Sequence, residues 1–322
     1  MIDDPVLLND WHVVARASEL HVGEVRPVKL LGRDLVLWRS QSGYHCWLDL
    51  CVHRGAKLSG GHMEDHCLVC PYHGWNYDES GRCVKIPTHP SQAPPSRAQA
   101  TVFPLKEEYD LLWVCLGVPR NSVPNFPEWH DPAFRKIAAG PYRFRAQGPR
   151  VIENFLDVGH FPFVHAGLLG DIGHTEIDDY EVETTVDGVI AKDIAVWQPD
   201  PDGTGKPAKV LYTYHAQRPL VASFVKKHNE QRFSMIDIVT PVSADESVSW
   251  VVLALNYAPE ISDECLRTFQ DKVSAQDIPI VESQRPELLP LDLQAELHLR
   301  SDRTAIAYRR WLKQLGLRYG TS

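Results

Sequence analysis

The chain has 322 residues, of which 43% are hydrophobic and 23% charged, an ordinary composition for a folded globular protein. Its formal net charge of −9 argues against nucleic acid as a partner, because phosphate binding needs a basic surface. No apolar run reaches the ~18 residues of a transmembrane helix, and the start of the chain lacks the basic and apolar regions of a secretory signal. We therefore expect a cytoplasmic protein without a membrane anchor, long enough for two domains.

The first half of the chain reads as short strands joined by tight turns. Strand patterns lie between residues 24 and 50, residues 51–75 are loop-like and rich in cysteine and histidine, and the proline-rich stretches 87–104 and 119–141 interrupt regular structure. We place the domain boundary near residue 140, which gives an all-β domain over residues 1–140 and a second domain over residues 141–322.

The second half predicts a helix, then long strands, then two more helices. Six strand patterns lie between residues 180 and 257, one helix begins near Ser262, and a last helix spans Ser301–Leu315. The expected fold class is therefore α+β, with a large antiparallel sheet against helices in the second domain.

Two short loops in the first domain each offer one thiolate and one imidazole. Cys51 and His53 form the first pair, and Cys70 and His73 form the second. Such a set can hold tetrahedral zinc, or a two-iron cluster with the cysteines on one iron and the histidines on the other. Zinc knuckles usually pair cysteine with cysteine and histidine with histidine. The mixed pairs therefore favour a [2Fe–2S] cluster, which passes single electrons.

The stretch Asn154–His165 concentrates ionisable groups among apolar side chains. We predict that His160 and His165 bind a catalytic non-haem iron, which is typically held by two histidines and one carboxylate. A five-residue gap would turn the two rings apart on an ideal helix, so we expect Pro162 to break the helix between them. Asp157 and His160 would share one helical face. Two histidines that merely pack in the core are the alternative interpretation.

The carboxylate ligand is expected on the helix that begins near Ser262. Asp277 occupies the position missing from the apolar stripe of that helix, where an unpaired charge would be costly. The stripe consists of Leu266, Phe269, Val273 and Ile280. Asp271 and Glu282 point elsewhere and are expected to be solvated or salt-bridged. Asp277 is the predicted third ligand.

Together these motifs resemble the oxygenase component of the Rieske non-haem iron oxygenases. The Cys/His pairs lie upstream, Asn154–His165 lies in the middle, and Gln276-Asp277 lies downstream, so the resemblance covers essentially the whole chain. Within that family the chain is similar to single-subunit oxygenases of the vanillate O-demethylase type and of saxitoxin-type pathways. The resemblance implies an N-terminal Rieske [2Fe–2S] domain with cluster loops 51–75, and a catalytic domain of the helix-grip, START-like type.

The resemblance also implies residue roles and an assembly. In such a homotrimer the cluster of one subunit faces the iron of its neighbour, and Asp157 bridges a cluster histidine and an iron-binding histidine. Asn154 would lie near the metal, in a role that varies within the family.

The implied reaction is monooxygenation of a small organic substrate by Fe(II) and O₂, either hydroxylation or oxidative O- or N-demethylation. The chain has no nicotinamide or flavin fingerprint, so NAD(P)H and flavin would act only through a separate reductase or ferredoxin. Aromatic cis-dihydroxylation is the alternative reaction. An electron-transfer-only Rieske protein and a zinc-stapled ligand-binding module are the alternative classes.

Overall fold

The N-terminal part of the chain is a unit of short strands. In the computed structural model, which describes residues 1–322, the chain divides into the compact units Met1–Val123 and Pro124–Ser322. The helices of the first unit are α1 (Pro5–Leu8) and the 3-10 helices Ala17–Glu19 and Leu58–Gly60. Its strands are β1 (His12–Arg16), β2 (Val25–Leu30), β3 (Arg33–Arg39), β4 (Tyr44–Leu48), β5 (His62–Glu64), β6 (Cys67–Val69), β7 (Asn76–Tyr77), β8 (Cys83–Lys85), β9 (Val102–Phe103), β10 (Leu105–Glu108) and β11 (Leu111–Val114).

The strands of the first unit pair antiparallel into three small sheets, in the orders β1-β11-β10, β2-β3-β4-β9 and β5-β6-β7-β8. Strands β2, β3 and β4 are the expected meander. They place Trp38 and Trp47 in the core, where the two rings meet edge to face at 4.9 Å. One Cys/His loop follows β4, and the other joins β6 to β7. The hairpin β5–β6 was not expected, because its strands have only three residues each and lie in the stretch 51–75 that reads as a loop.

The second unit is a large sheet with four helices, α2 (Gly148–Leu156), α3 (Phe161–Val164), α4 (Asp263–Ser283) and α5 (Arg303–Leu315), and the 3-10 helices Pro127–Trp129 and Arg300–Asp302. Its strands are β12 (Arg135–Phe144), β13 (Glu181–Thr185), β14 (Gly188–Gln198), β15 (Ala208–Arg218), β16 (Val221–His228), β17 (Gln231–Pro241) and β18 (Ser247–Leu255). None of the helices is long and apolar enough to cross a membrane.

The sheet of the second unit is antiparallel throughout, in the order β12-β18-β17-β16-β15-β14-β13. Helix α4 packs against β12, α2 against β16 and β17, and α5 against β13 and β14. Because these helices cover apolar faces of one long sheet, the sheet can hold a cavity between strands and helices. The expected α+β class, with an all-β first unit and a helix-covered antiparallel sheet, is confirmed.

Strand β12 occupies part of a proline-rich stretch in which no regular structure was expected. It tolerates Pro141 because it lies at the edge of the sheet and its register shifts between Ala139 and Tyr142. The domain boundary expected near residue 140 falls inside this strand, whereas the second compact unit begins at Pro124.

Candidate metal centres

The two Cys/His loops of the first unit have the same backbone hydrogen bonds. The amide N–H of Cys51 donates to Ala56 O at 2.8 Å, and that of Cys70 donates to Trp75 O at 2.9 Å. Each loop closes with a glycine N–H that donates to the cysteine carbonyl, from Gly55 to Cys51 and from Gly74 to Cys70. Both glycines have positive φ (74° and 68°), a conformation that other residues rarely adopt. Equivalent folding of the two loops gives two equivalent turns, each with one cysteine and one histidine.

The four predicted cluster residues lie together between these turns. Cys51 and Cys70 are both buried, and the rings of His53 and His73 meet edge to face at 4.5 Å. Burial raises the pKa of Cys70, and the neighbouring Cys51 thiol adds to this effect. Hydrogen bonds from the backbone N–H groups of Tyr72 and His73 act in the opposite direction. His53 Nδ1 is buried without a hydrogen-bond partner. Two thiols beside two imidazoles, one of which has a buried and unpartnered nitrogen, are the donor types that a Rieske [2Fe–2S] cluster uses.

Two aromatic residues complete the surroundings of these ligands. Tyr77 lies within hydrogen-bond distance of Cys51, with 3.1 Å between its hydroxyl oxygen and Sγ. Trp75 stacks on His53 with 4.5 Å between the ring centroids. Hydrogen bonds to the sulfur ligands and exclusion of water are the ways in which a protein adjusts a cluster's potential. Tyr77 could not be identified from the sequence, because it lies 26 residues from Cys51 in the chain and contacts it only in the folded structure.

The local structure around His160 differs from the broken helix that was expected. Helix α2 ends at Leu156, Asp157 is its extended C-cap, and Pro162 lies in the first turn of the short helix α3. Proline therefore begins the second helix, a position where its missing N–H costs nothing. Asp157 and His160 do not share a helical face. They meet in a turn, where Asp157 accepts hydrogen bonds from Gly159 N–H (2.9 Å), His160 N–H (3.1 Å) and His160 Nδ1 (2.8 Å).

The structure brings His160, His165 and Asp277 together in the second unit, with their potential ligand atoms all within 4.8 Å of one another. The distance between the two Nε2 atoms is 3.2 Å. Asp277 Oδ1 lies 3.1 Å from His165 Nε2 and 3.5 Å from His160 Nε2. Two imidazoles and one carboxylate that converge on one point match the two-histidine, one-carboxylate arrangement.

Each histidine has a hydrogen-bond partner on its other ring nitrogen. Asp157 accepts from His160 Nδ1, and the side-chain oxygen of Gln276 accepts from His165 Nδ1 at 2.8 Å. Both rings therefore carry their proton on Nδ1 and present the Nε2 lone pair to the shared point. Gln276 was noted in sequence only as a neighbour of Asp277. No local pattern could have shown that it orients His165.

Helix α4 places Asp277 beside the histidines, although the stripe that predicted it was only partly correct. Val273 is buried, as the stripe predicted, and its neighbour Ser274 is buried as well. Ile280 is exposed, however, and Val281 is buried in its place. Asp277 faces the cavity because it follows Val273 by four residues on one helix face. Asp271 accepts a hydrogen bond from Tyr142, and Glu282 pairs with Arg145.

Asn154 also reaches the group, since its side-chain amide lies 3.5 Å from Asp277 Oδ1. The charges around the three side chains are consistent with a site for a cation. Burial acts to lower the pKa of His165, but the hydrogen bond and charge of Asp277 outweigh it and raise that pKa. Burial likewise opposes the ionisation of Asp157, but hydrogen bonds from His160 and Gly159 lower its pKa. The lowered pKa of Asp157 favours its carboxylate form, which orients His160 toward the point that a divalent metal would occupy.

A cavity of about 310 Å³ lies against the three side chains, between the sheet and helices α2 and α4. That volume is at the lower end of small-molecule sites. Aromatic side chains dominate its walls, namely Phe155, Phe161, Tyr212, Tyr214, Phe224, Phe233 and Phe269. Leu168 and Leu169, which follow His165 in the chain, also line the cavity. The nearby apolar residues Phe163 and Ile172 are exposed instead. The cavity can therefore hold a planar apolar compound close to the two histidines.

The two units match two protein families. Residues 10–106 match the Rieske [2Fe-2S] domain, and residues 144–318 match the vanillate O-demethylase oxygenase C-terminal domain. Over 319 residues the chain is 31% identical to the methylxanthine N1-demethylase NdmA of Pseudomonas putida, covering 95% of this chain and 88% of that protein. Over 193 residues it is 33% identical to a 5,5'-dehydrodivanillate O-demethylase oxygenase subunit of a Sphingobium species, covering 54% of this chain and 44% of that protein.

A solved structure gives the same result at the level of the fold. NdmA of Pseudomonas putida CBB5 with caffeine aligns with a TM-score of 0.83 at 29% identity, covering 96% of this chain and 90% of that one. The similarity therefore extends over both units.

Proposed function

This chain belongs to the Rieske non-haem iron oxygenases with a vanillate O-demethylase-type C-terminal domain, and on that basis we propose that it removes a methyl group from nitrogen in a small organic substrate. The chain is a terminal oxygenase, a monooxygenase component whose relatives take electrons from a separate reductase. An electron-transfer-only protein would have no use for an oxygenase domain over residues 144–318. N-demethylation is favoured because a relative that aligns with 95% of this chain is an N-demethylase.

The observation that carries this proposal is the convergence of three side chains on an aromatic cavity. We assign His160, His165 and Asp277 as the ligands of the mononuclear iron, which would supply reductive activation of O₂ when bound. Asp157 and Gln276 orient the two imidazoles, and Asn154 positions Asp277. The apolar walls hold the substrate and keep water away from it.

We assign Cys51, His53, Cys70 and His73 as the ligands of the [2Fe–2S] cluster. The N-terminal unit is then the Rieske domain. The equivalent turns, the buried thiols and the unpartnered His53 Nδ1 support this assignment. The second unit is then the catalytic domain.

The proposed assembly is a homotrimer in which electrons pass between subunits through Asp157. The side chain of Asp157 is 38% exposed although it holds His160, so a neighbouring subunit can reach it. The electron donor is a reductase, directly or through a ferredoxin. Arg309 of the C-terminal helix α5 is not available to bind such a donor, because it is buried between Glu153 and Glu296.

O-demethylation is the second candidate reaction, since the matching C-terminal domain family is that of vanillate O-demethylase and another relative is an O-demethylase subunit. The same cavity chemistry serves both reactions, because hydroxylation of a methyl carbon on either heteroatom releases formaldehyde.

A single-turnover experiment tests the proposal without the unidentified donor. Chemically reduced, iron-loaded enzyme is mixed with O₂ and either caffeine or vanillate, and formaldehyde is measured. We expect formaldehyde from the N-methyl compound, and its loss in the Asp277→Asn variant but not in the matched Asp271→Asn variant on the same helix. Formaldehyde from vanillate alone would favour O-demethylation, and its absence with both would contradict demethylase function.

A further inference from the structure

One carboxyl group in the wall of the cavity has no role in holding the proposed iron. Asp237 lies on β17, where Phe233 and Met235 face the cavity at alternating positions, so its own inward position would ordinarily hold an apolar residue. It is only 6% exposed. A buried acid at such a position is costly unless something binds it.

The protein supplies Asp237 with one partner. Ser249, on the adjacent strand β18 and diagonally across from it, donates to Oδ1 at 2.6 Å. No lysine, arginine or histidine forms an ion pair with Asp237. Burial raises the pKa of Asp237 to about 7, against the hydrogen bond from Ser249 and assisted by the charge of Asp277. Asp237 lines the cavity, and the hydrogen bond from Ser249 uses only Oδ1 of its two carboxyl oxygens.

The cavity wall contains one lysine, Lys226, and its ammonium group already has partners. It donates to Pro201 O at 2.7 Å and lies 3.4 Å from the side-chain oxygen of Gln198, with Asp200 and Asp202 in the same wall. Lys226 lies opposite Phe233, whereas Asp237 lies four residues further along β17, ~13 Å away at the rise of a strand. Of Lys226 and Asp237, it is therefore Asp237 that feels the charge of Asp277 and that no cation of the protein pairs with.

We propose that Asp237, held by Ser249, determines specificity by hydrogen-bonding the carbonyl or N–H edge of a neutral N-methylated cyclic amide, beside the methyl group that is oxidised. This inference rests on the proposed demethylase function. A carboxyl group that carries its proton offers a donor and an acceptor on one edge, which complements an amide edge. Because burial favours the neutral, protonated form of Asp237 over an uncompensated carboxylate, a neutral ligand fits it better than an anionic one.

Equilibrium binding tests the inference separately from catalysis. Titration calorimetry on iron- and cluster-loaded enzyme would compare three probes, caffeine (neutral), N,N-dimethylbenzylammonium (cationic) and 4-methoxybenzoate (anionic). The variants are Asp237→Asn, which keeps a donor and an acceptor, Asp237→Leu, which keeps neither, and Ser249→Ala. Ser247→Ala is the matched control, since Ser247 is a buried serine on the same strand that contacts Tyr319 instead of Asp237.

We expect caffeine to bind tightest, with a Kd that changes about threefold or less in Asp237→Asn. Asp237→Leu should raise the Kd about 10–100-fold, the effect of an unmade buried hydrogen bond. Ser249→Ala should raise it about three- to tenfold, by releasing the carboxyl from its fixed orientation, and Ser247→Ala should not change it.

An unchanged Kd in Asp237→Leu would overturn the inference, and so would failure of caffeine to bind. Tighter binding of the cationic probe, lost equally in Asp237→Asn and Asp237→Leu, would show that Asp237 acts as a charge and would also overturn it. Binding as expected without formaldehyde in single turnover would instead count against the demethylase function alone. If Asp237→Leu does not fold, Ser249→Ala against Ser247→Ala gives the same decision.

Discussion

At the residue scale, each proposed set of metal ligands depends on neighbouring side chains that form hydrogen bonds with the ligands. Asp157 and Gln276 fix the protonated nitrogens of the two histidines, and Tyr77 reaches the sulfur of Cys51. None of these partners binds metal itself. Their effect is to fix a tautomer, a ring orientation or the electron density on sulfur.

Removal of the Tyr77 hydroxyl should lower the reduction potential of the cluster. A hydrogen bond to a ligand sulfur stabilises the reduced, more negative state. Tyr77→Phe should therefore lower the potential by on the order of 50 mV, the equivalent of one hydrogen bond in a one-electron couple. Redox titration followed by visible absorption measures this. Tyr44→Phe, whose hydroxyl bonds Ala17 O, should leave the potential unchanged, and an equal shift in both variants would contradict the assignment.

His12 should make the first unit sensitive to mild acid. Burial is the main cause that lowers the pKa of His12, and its ring bonds Leu7 O at 2.8 Å. The unfolded chain takes up a proton near pH 6.5, whereas the folded chain does so only at lower pH. Stability therefore falls as the pH drops below 6.5, by at most about 1.4 kcal/mol per pH unit from this group.

His12→Gln removes that titration, so the variant should lose less stability than the wild type between pH 7.5 and pH 5.5. Urea denaturation of both proteins at the two pH values measures the difference. Parallel loss of stability in the two proteins would show that His12 does not titrate on unfolding.

At the element scale, helices α2 and α5 are joined by a buried group of charges. Arg309 of α5 pairs with Glu153 of α2 and with Glu296, and Arg150 of α2 pairs with Glu296 as well. Since α2 leads directly into the turn that holds His160, this network fixes the position of the site relative to the sheet.

Arg309→Met should destabilise the second unit strongly, because it removes a buried cation and leaves the largely buried carboxylates of Glu153 and Glu296 with Arg150 alone. The expected loss is roughly 3–5 kcal/mol in the free energy of unfolding, measured by urea denaturation. Arg310→Met changes the next residue, which is exposed, and should cost less than about 0.5 kcal/mol. A similar small loss in both variants would mean that the network does not stabilise the fold.

The elements and the ligands were predictable from sequence to different degrees. Alternating strands such as β15 and β17 and the capped start of α4 at Ser262 follow from local pattern and were predicted. Strand β12 was missed because an edge strand with a bulge tolerates proline. The helix end at Leu156 was misplaced because the side chain of Asp157 satisfies the next turn, which helical periodicity does not reveal.

The site itself was predictable where chemistry constrains residue type. His160, His165 and Asp277 were named from spacing and cost of burial, and the structure brings them together. Tyr77 and Asp237 were not named, and Gln276 was named only as the neighbour of Asp277, because the roles of all three arise from contacts between separate segments of the chain. Asp237 had a weak signal, an acid at an inward strand position between apolar residues.

At the scale of the whole molecule, the proposed trimer makes a prediction about shared function. If electrons pass from the cluster of one subunit to the iron of its neighbour, a chain defective in the cluster (His73→Ala) and a chain defective in iron (Asp277→Ala) should complement each other. In a randomly mixed trimer a site is active only when the chain that supplies the cluster is the iron-defective one and its neighbour is the cluster-defective one. Each condition is met about half of the time, so co-expression should restore about a quarter of wild-type turnover.

Turnover of the co-expressed variants, with each variant alone as control, measures this complementation. Each variant alone should be inactive. Inactivity of the mixture, with mixed trimers shown by mass spectrometry, would mean that electrons stay within one subunit.

The proposed function requires that this one chain holds two separate iron centres. Iron and acid-labile sulfide per chain test it most directly, in wild type, Asp277→Asn and Asp271→Asn. Three irons and two sulfides are expected in wild type and Asp271→Asn, against two irons, two sulfides and an unchanged visible spectrum in Asp277→Asn. Zinc in place of iron and sulfide, or three irons retained in Asp277→Asn, would contradict it.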